Sequence, residues 1–122
     1  MAKILIVDDD PQTTTLFENL IKGNGHQAVS VNNSWTAVET IKAESPNLIL
    51  LDIMMPKING LELCKLIKAN QDIKNIPIII VSALGDMGTR RDSFNAGAED
   101  FLAKPVRVRD FSEKLRSILK DT

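Results

Sequence analysis

The sequence of 122 residues has little of what disulfides and zinc sites need. Cys64 is its only cysteine, His26 is its only histidine, and it has no tyrosine. A single cysteine excludes an internal disulfide and favours a reducing compartment, so we expect a cytoplasmic protein. Zinc is usually held by several Cys and His side chains, and these are missing here. Any bound metal is therefore expected to be a hard cation held by oxygen atoms.

Strong net charge and long apolar runs are also absent. The formal net charge is −1, whereas domains that bind nucleic acid are usually basic. No apolar run approaches the roughly 18 residues that a membrane-spanning helix requires. We therefore expect neither direct nucleic-acid binding nor a membrane span within these residues. The length and a hydrophobic content of 43% suit one globular domain over residues 1–122.

What the sequence does contain is a series of short apolar runs. They are "ILIV" from residue 4, "QAVSV" from 27, "NLILL" from 47, "PIIIV" from 77 and "DFLA" from 100. Most are continuously apolar instead of alternating, which indicates strands covered on both faces, as in a parallel sheet. The sequence therefore predicts five buried parallel strands.

Segments with helical periodicity separate these runs. Asp10 followed by Pro11 predicts a helix N-cap and a first helical residue, and the helix should end at Gly23. Further helices are predicted from 33 or 34 to before 46, over 60–69, from about 86 to 96, and from about 109 to 119. In the helix over 60–69, the buried face is either Leu61, Cys64 and Ile67, or Leu63, Leu66 and Ile67.

Five strand–helix units predict an α/β fold. We expect a flavodoxin-like, doubly wound (βα)5 domain, with a five-stranded parallel sheet in the order 2-1-3-4-5 and helices on both faces. Ligands of such sheets bind at the carboxyl ends of the strands. The residues that end the strands are therefore the candidates for function.

Three carboxylates end two neighbouring strands of this predicted sheet. Asp8 and Asp9 follow the first strand, and Asp52 ends the third. Their mutual repulsion would raise the pKa of at least one of them, and a divalent cation such as Mg²⁺ would remove it. Ser82 and Lys104 end the fourth and fifth strands and suit the oxygens of a phosphoryl group. The set predicts phosphoryl chemistry on a carboxylate, supported by Mg²⁺.

Taken in order and spacing, four segments resemble the receiver domain of bacterial two-component response regulators. They are "DD" at 8–9, "LDIMMPKINGLEL" at 51–63, "SA" at 82–83 and "KP" at 104–105. The resemblance covers the whole chain. It implies that Asp52 is phosphorylated, that Asp9 binds Mg²⁺ directly and Asp8 largely through water, and that the backbone carbonyl of Met54 is a further ligand.

The resemblance also implies a switch. Lys104 would neutralise the phosphoryl oxygens, and the Lys104–Pro105 bond would be cis. Ser82, followed by Ala83, would move toward the phosphoryl group, and Phe101 would turn inward with it. Serine stands at 82 where threonine is commoner, and phenylalanine stands at 101 instead of tyrosine, so a phenolic hydroxyl is missing. A plain core role for Phe101 remains open beside the switch role.

Two positions are implied to set the lifetime of the phosphorylated state. Met54 and Leu84 are both apolar and would flank the approach of the hydrolytic water, so we expect slow dephosphorylation. The chain would assist its own phosphorylation and dephosphorylation without being an enzyme that turns over a substrate.

Partners are implied in the same way. A sensor histidine kinase or a histidine phosphotransfer protein would donate the phosphoryl group. A downstream protein or output domain would bind through the face of the fourth helix, fifth strand and fifth helix, and that face could also support a phosphorylation-dependent dimer.

Two other functions compete with this interpretation. A haloacid-dehalogenase-like phosphatase also uses a strand-end aspartate with Mg²⁺, and Asp8 and Asp10 could form its Asp-x-Asp motif. The positions of Asp52 and Lys104 fit the receiver better, and Asp10 is accounted for as a helix cap. A degenerate receiver that acts only as a binding module is disfavoured because the acidic pair, acceptor, hydroxyl and lysine are all present.

Overall fold

Strands and helices alternate along the chain in the computed structural model, which describes residues 2–53, 59–83 and 87–119. The elements are β1 Lys3–Val7, α1 Pro11–Gly23, β2 Gln27–Val31, α2 Ala37–Glu44, β3 Leu48–Asp52, α3 Gly60–Ala69, β4 Ile78–Ser82, α4 Met87–Asn95, β5 Asp100–Ala103 and α5 Val108–Leu119. The strands form one parallel sheet in the order β2-β1-β3-β4-β5. The predicted fold is confirmed.

The sheet separates two apolar clusters, which explains the continuous apolar runs. Every residue of β3 and β4 is buried. One cluster includes side chains of α2 and α3, and the other includes side chains of α1 and α5. In the second cluster the rings of Phe17 and Phe111 stack with their centroids 5.6 Å apart. None of the helices in the described residues is long and apolar enough to span a membrane.

The buried face of α3 differs from both faces predicted from the sequence. Its buried residues are Gly60, Leu63, Cys64 and Ile67, whereas the side chain of Leu66 is 51% exposed. These positions follow the i, i+3, i+4, i+7 spacing of a helix face. Gly60 belongs to this face. Because glycine has no apolar side chain, counting apolar residues along the sequence did not identify which face of the helix is buried.

The predicted start of α1 is confirmed. The Asp10 carboxylate accepts a hydrogen bond from the backbone N–H of Gln12 at 3.1 Å, and Pro11 is the first helical residue. The second helical segment opens with a short 3₁₀ turn, Ser34–Thr36, capped by the side chain of Asn33. Both starts lie at the carboxyl edge of the sheet, where the predicted site lies.

Candidate functional site

The structure brings the three predicted carboxylates together. Asp52 ends β3, and Asp8 and Asp9 directly follow β1. The two strands are neighbours, with Val7 opposite Leu51. One carboxylate oxygen from each aspartate lies within 4.8 Å of the others; Asp8 and Asp52 are buried and Asp9 is exposed. The group is a compact set of oxygen donors that is open to solvent on the side of Asp9.

Lys104 supplies a cation to the buried pair. Its Nζ lies 3.3 Å from Oδ1 of Asp52 and 3.4 Å from Oδ2 of Asp8. The backbone N–H of Lys104 donates to the carbonyl of Ser82 at 2.8 Å, which joins the ends of β4 and β5. The Lys104–Pro105 peptide bond is cis, as the resemblance implied. Residues at or just after the ends of β1, β3, β4 and β5 thus meet at one edge of the sheet.

The surroundings of Asp52 change the acidity of its carboxylate. Burial raises the pKa of Asp52 from 3.8 to about 6, and the charge of Asp8 adds to the rise, while Lys104 acts in the opposite direction. The sequence predicted a raised pKa from like charges alone, but removal from water is the larger cause. At neutral pH the carboxylate is still mostly ionised and can act as a nucleophile.

Asp8 and Asp10 have different tasks although they are two residues apart. The carboxylate of Asp8 faces the site and accepts a hydrogen bond from the backbone N–H of Asp10 at 2.9 Å, which orients it. The carboxylate of Asp10 accepts from the hydroxyl of Thr13 and the N–H of Gln12, and these hydrogen bonds lower the pKa of Asp10. Asp10 is the helix cap, as predicted.

The predicted switch residues lie on β4 and β5. Ser82 is fully buried at the end of β4, and Ala83 beside it is exposed. Phe101 is already turned inward, with 2% of its surface exposed. The guanidinium carbon of Arg90 lies 4.8 Å from the centroid of the Phe101 ring. The sequence pattern does not reveal this contact, because a cation–π contact between α4 and β5 leaves no periodic signal.

Two predicted positions fall outside the described residues. Met54, expected to supply a backbone ligand, and Leu84, expected to flank the hydrolytic water, both belong there. Their proposed roles, including slow dephosphorylation, stay predictions.

An apolar groove borders the site. It is lined by Thr13, Leu16, Phe17, Ala83, Lys104, Pro105 and Val106. Leu16 projects from α1 with 51% of its surface exposed. Sequence reasoning missed this groove, because its residues come from α1 and from segments that follow β4 and β5.

Comparisons with known proteins agree with this geometry. The family model of the response regulator receiver domain matches residues 4–116. The chain is 34% identical over 120 residues to the probable transcriptional regulator ycf27 of Cyanophora paradoxa, covering 98% of this chain and 49% of the relative. It is 32% identical over 118 residues to the polar-differentiation response regulator DivK of Brucella anthropi, covering 97% of this chain and 96% of the relative. It thus spans about half of the first relative and nearly all of the second.

A solved structure is similar in the same way. The receiver domain of the sensor histidine kinase PA1611 from Pseudomonas aeruginosa, crystallised with a magnesium ion in its active-site cleft, superimposes with a TM-score of 0.89. It is 27% identical, and the match covers 98% of both chains. With the 2-1-3-4-5 sheet, the acidic cluster at its carboxyl edge and a family match over nearly its whole length, this chain belongs to the receiver domains of two-component response regulators.

Proposed function

We propose that Asp52 accepts a phosphoryl group from a phosphohistidine and that this changes the surface offered to a downstream partner. The observation that carries the proposal is the convergence of Asp8, Asp9, Asp52 and Lys104 at one edge of the sheet. Receiver domains interact with histidine kinases and with downstream effectors. A sensor histidine kinase or a histidine phosphotransfer protein in the cytoplasm is the donor that this proposal requires.

The donor set fits Mg²⁺. Three carboxylates offer oxygen atoms within 4.8 Å of one another, and Mg²⁺ prefers oxygen ligands. Asp8, Asp9 and Asp52 would hold the ion, which would supply positive charge to offset both the carboxylates and an incoming phosphoryl group. The magnesium ion in the similar P. aeruginosa receiver supports this assignment.

The phosphoryl transfer itself asks little of the protein beyond placement and charge. A carboxylate oxygen of Asp52 forms the new bond to phosphorus as the phosphorus–nitrogen bond of the donor imidazole breaks, and the imidazole nitrogen keeps that electron pair. The ammonium of Lys104, 3.3 Å from the Asp52 carboxylate, can pair with a phosphoryl oxygen. An ionised carboxylate needs no general base, so Asp52 can attack without help from a further proton acceptor.

A phosphatase that uses Asp8 and Asp10 receives less support. The carboxylate of Asp10 is engaged in capping α1 through Gln12 and Thr13. An Asp-x-Asp motif would need that carboxylate in the site. We therefore propose a phosphoacceptor switch without substrate turnover. Steady hydrolysis of added phosphomonoesters would favour the phosphatase instead.

The principal test is phosphoryl uptake. We expect wild-type protein incubated with acetyl phosphate and Mg²⁺ to gain one phosphoryl group per chain by intact-mass spectrometry, and to gain none when the cation is chelated. Asp52→Asn should gain none in either case. Asp72→Asn, an exposed carboxylate that pairs with Lys42 away from the site, is the matched control and should behave as wild type. Equal uptake in the Asp52→Asn protein would refute the assignment.

We further propose that the donor protein docks on the groove around Leu16, because this apolar surface borders Lys104 and Asp52. Leu16→Asp should slow transfer from a phosphohistidine protein about tenfold, the loss expected for one apolar anchor. Uptake from acetyl phosphate should be unchanged. Leu66→Asp is the control, since Leu66 on α3 is equally exposed at 51%. If both variants slow the protein donor alike, the groove is not the docking surface.

For output, we propose the face of α4, β5 and α5. All five arginines of the chain lie between residues 90 and 116, and arginine is enriched at protein interfaces. Lys114 pairs with Asp100 at 2.8 Å on this face, beside the buried Phe101. Charges of both signs here also suit a phosphorylation-dependent dimer.

A further inference from the structure

Gly60, the first residue of α3, rests on the backbone of the candidate phosphoacceptor. Its N–H donates to the carbonyl of Ile53 at 2.9 Å. A β-carbon built on Gly60 would overlap the carbonyl oxygen of Asp52, and it would lie 2.7 Å from that carbonyl carbon and from Cα of Ile53. The start of α3 is therefore in contact with the Asp52–Ile53 peptide itself.

This contact differs from those of the other glycines with described surroundings. A β-carbon at Gly23 or Gly25 would meet no atom within 4 Å. One at Gly97 would meet Cγ of Lys68 at 2.8 Å, which is part of a long side chain that can move aside. The atoms that face Gly60 are backbone atoms, and they can move only if the end of β3 moves with them.

The helix cannot easily turn to relieve such an overlap. Leu63, Cys64 and Ile67 hold one face of α3 in the core. At its start, the side-chain oxygen of Asn59 accepts from the N–H of Glu62 at 3.0 Å, and the amide of Asn59 donates to the Glu62 carboxylate at 3.0 Å. The core and the cap thus fix the rotation and the position of the helix start, so the Asp52 peptide would have to give way.

We propose that Gly60 is a positioning residue for Asp52. Because Gly60 has no side chain, α3 can approach the Asp52–Ile53 peptide closely and hold it in place. The side-chain carboxylate of Asp52 then lies next to Asp8, Asp9 and Lys104. The inference rests on the proposed phosphoacceptor function. A displacement of about 1 Å at a reacting group can slow a reaction up to about 100-fold, so even a small shift of β3 is measurable.

The test compares Gly60→Ala with Gly97→Ala, both made in a Gly23→Ala background. Gly23→Ala removes a helical glycine that no atom crowds, so the background should be more stable than wild type. Gly97 has φ of +106° and lies before β5, at the edge of the sheet opposite the site. Both alanines should therefore lower the unfolding midpoint, but only the one at 60 touches Asp52.

Three readouts are measured on folded protein: the rate of phosphorylation by acetyl phosphate, the Mg²⁺ affinity by calorimetry, and the amide NMR shifts of Asp8, Asp9, Asp52 and Ile53. We expect Gly60→Ala to be phosphorylated about tenfold more slowly or worse, in line with a small displacement of the nucleophile. It should also bind Mg²⁺ more weakly and shift these amides. Gly97→Ala should match the background in all three.

Equal rates, affinities and amide shifts in the two variants would overturn the inference. So would a Gly60→Ala protein that stays unfolded while Gly97→Ala folds, because Gly60 would then serve folding as a whole. If the background protein takes up no phosphoryl group, the proposed function has failed; the Mg²⁺ affinities and amide shifts still decide whether Gly60 positions Asp52.

Discussion

Replacing Asp52 by asparagine is expected to stabilise the protein at neutral pH by about 2–3 kcal/mol when divalent cations are absent. The cause is the cost of holding an ionised carboxylate in a buried position beside another one. Burial and the charge of Asp8 raise the pKa of Asp52 from 3.8 to about 6. Asparagine fills nearly the same volume without the charge, so the folded state no longer carries this cost.

The pH dependence of stability follows from the direction of this pKa shift. Because the pKa of Asp52 is higher in the folded protein than in the unfolded chain, the folded state binds the proton more tightly between about pH 4 and pH 6. The free energy of unfolding of the wild type should therefore fall as the pH rises through this window. Above the window it should be lowered by the full cost of the buried charge. The advantage of Asp52→Asn should vanish below about pH 4, where aspartate is protonated in both states.

The measurement is urea denaturation of both proteins across this pH range in a chelating buffer. Asp72→Asn, which removes an exposed carboxylate away from the site, is the control and should show little difference from wild type. A stability difference between wild type and Asp52→Asn that does not change with pH would show that the carboxylate is not destabilised by its surroundings.

Lys104→Ala is expected to leave phosphorylation by a small donor possible while removing most of the conformational response to it. Nζ of Lys104 lies 3.3 Å from the Asp52 carboxylate, the proposed acceptor of the phosphoryl group. A ligand shifts an equilibrium between two states only by the difference in its affinity for them. The ammonium group of Lys104 can supply this difference by binding the phosphoryl oxygens more tightly in the switched state than in the unswitched state. Losing a charged hydrogen bond of about 1.5–3 kcal/mol should reduce the equilibrium ratio of switched to unswitched protein about tenfold or more.

Backbone NMR with and without beryllofluoride, a mimic of the phosphoryl group, measures this response at Ser82 and Phe101. Lys3→Ala is a matched control, because Lys3 pairs with Glu44 at 3.1 Å at the other edge of the sheet and its side chain is similarly exposed, 29% against 26% for Lys104. The control should give the full wild-type shifts. Full shifts in Lys104→Ala as well would show that another group reads the phosphoryl charge.

The sequence by itself determined the fold and the place of the site. Continuous apolar runs such as "LILL" before Asp52 are typical of strands covered on both faces, and the helical segments between them favour a parallel sheet. Parallel strands bring their carboxyl ends to one edge, so Asp8, Asp9 and Asp52 had to meet once the strand order was known. The helix cap at Asp10 was equally local and equally predictable.

Only the tertiary structure decided how these strands and helices pack against one another. Three features depend on how different elements pack: the burial that dominates the raised pKa of Asp52, the Arg90 guanidinium over Phe101, and the contact of Gly60 with the Asp52 peptide. The buried face of α3 was also decided by packing, because it includes Gly60, which is not counted as an apolar side chain in the sequence. Periodicity sets the spacing of residues along an element, but packing sets the rotation and depth of that element, and these control the chemistry at the edge of the sheet.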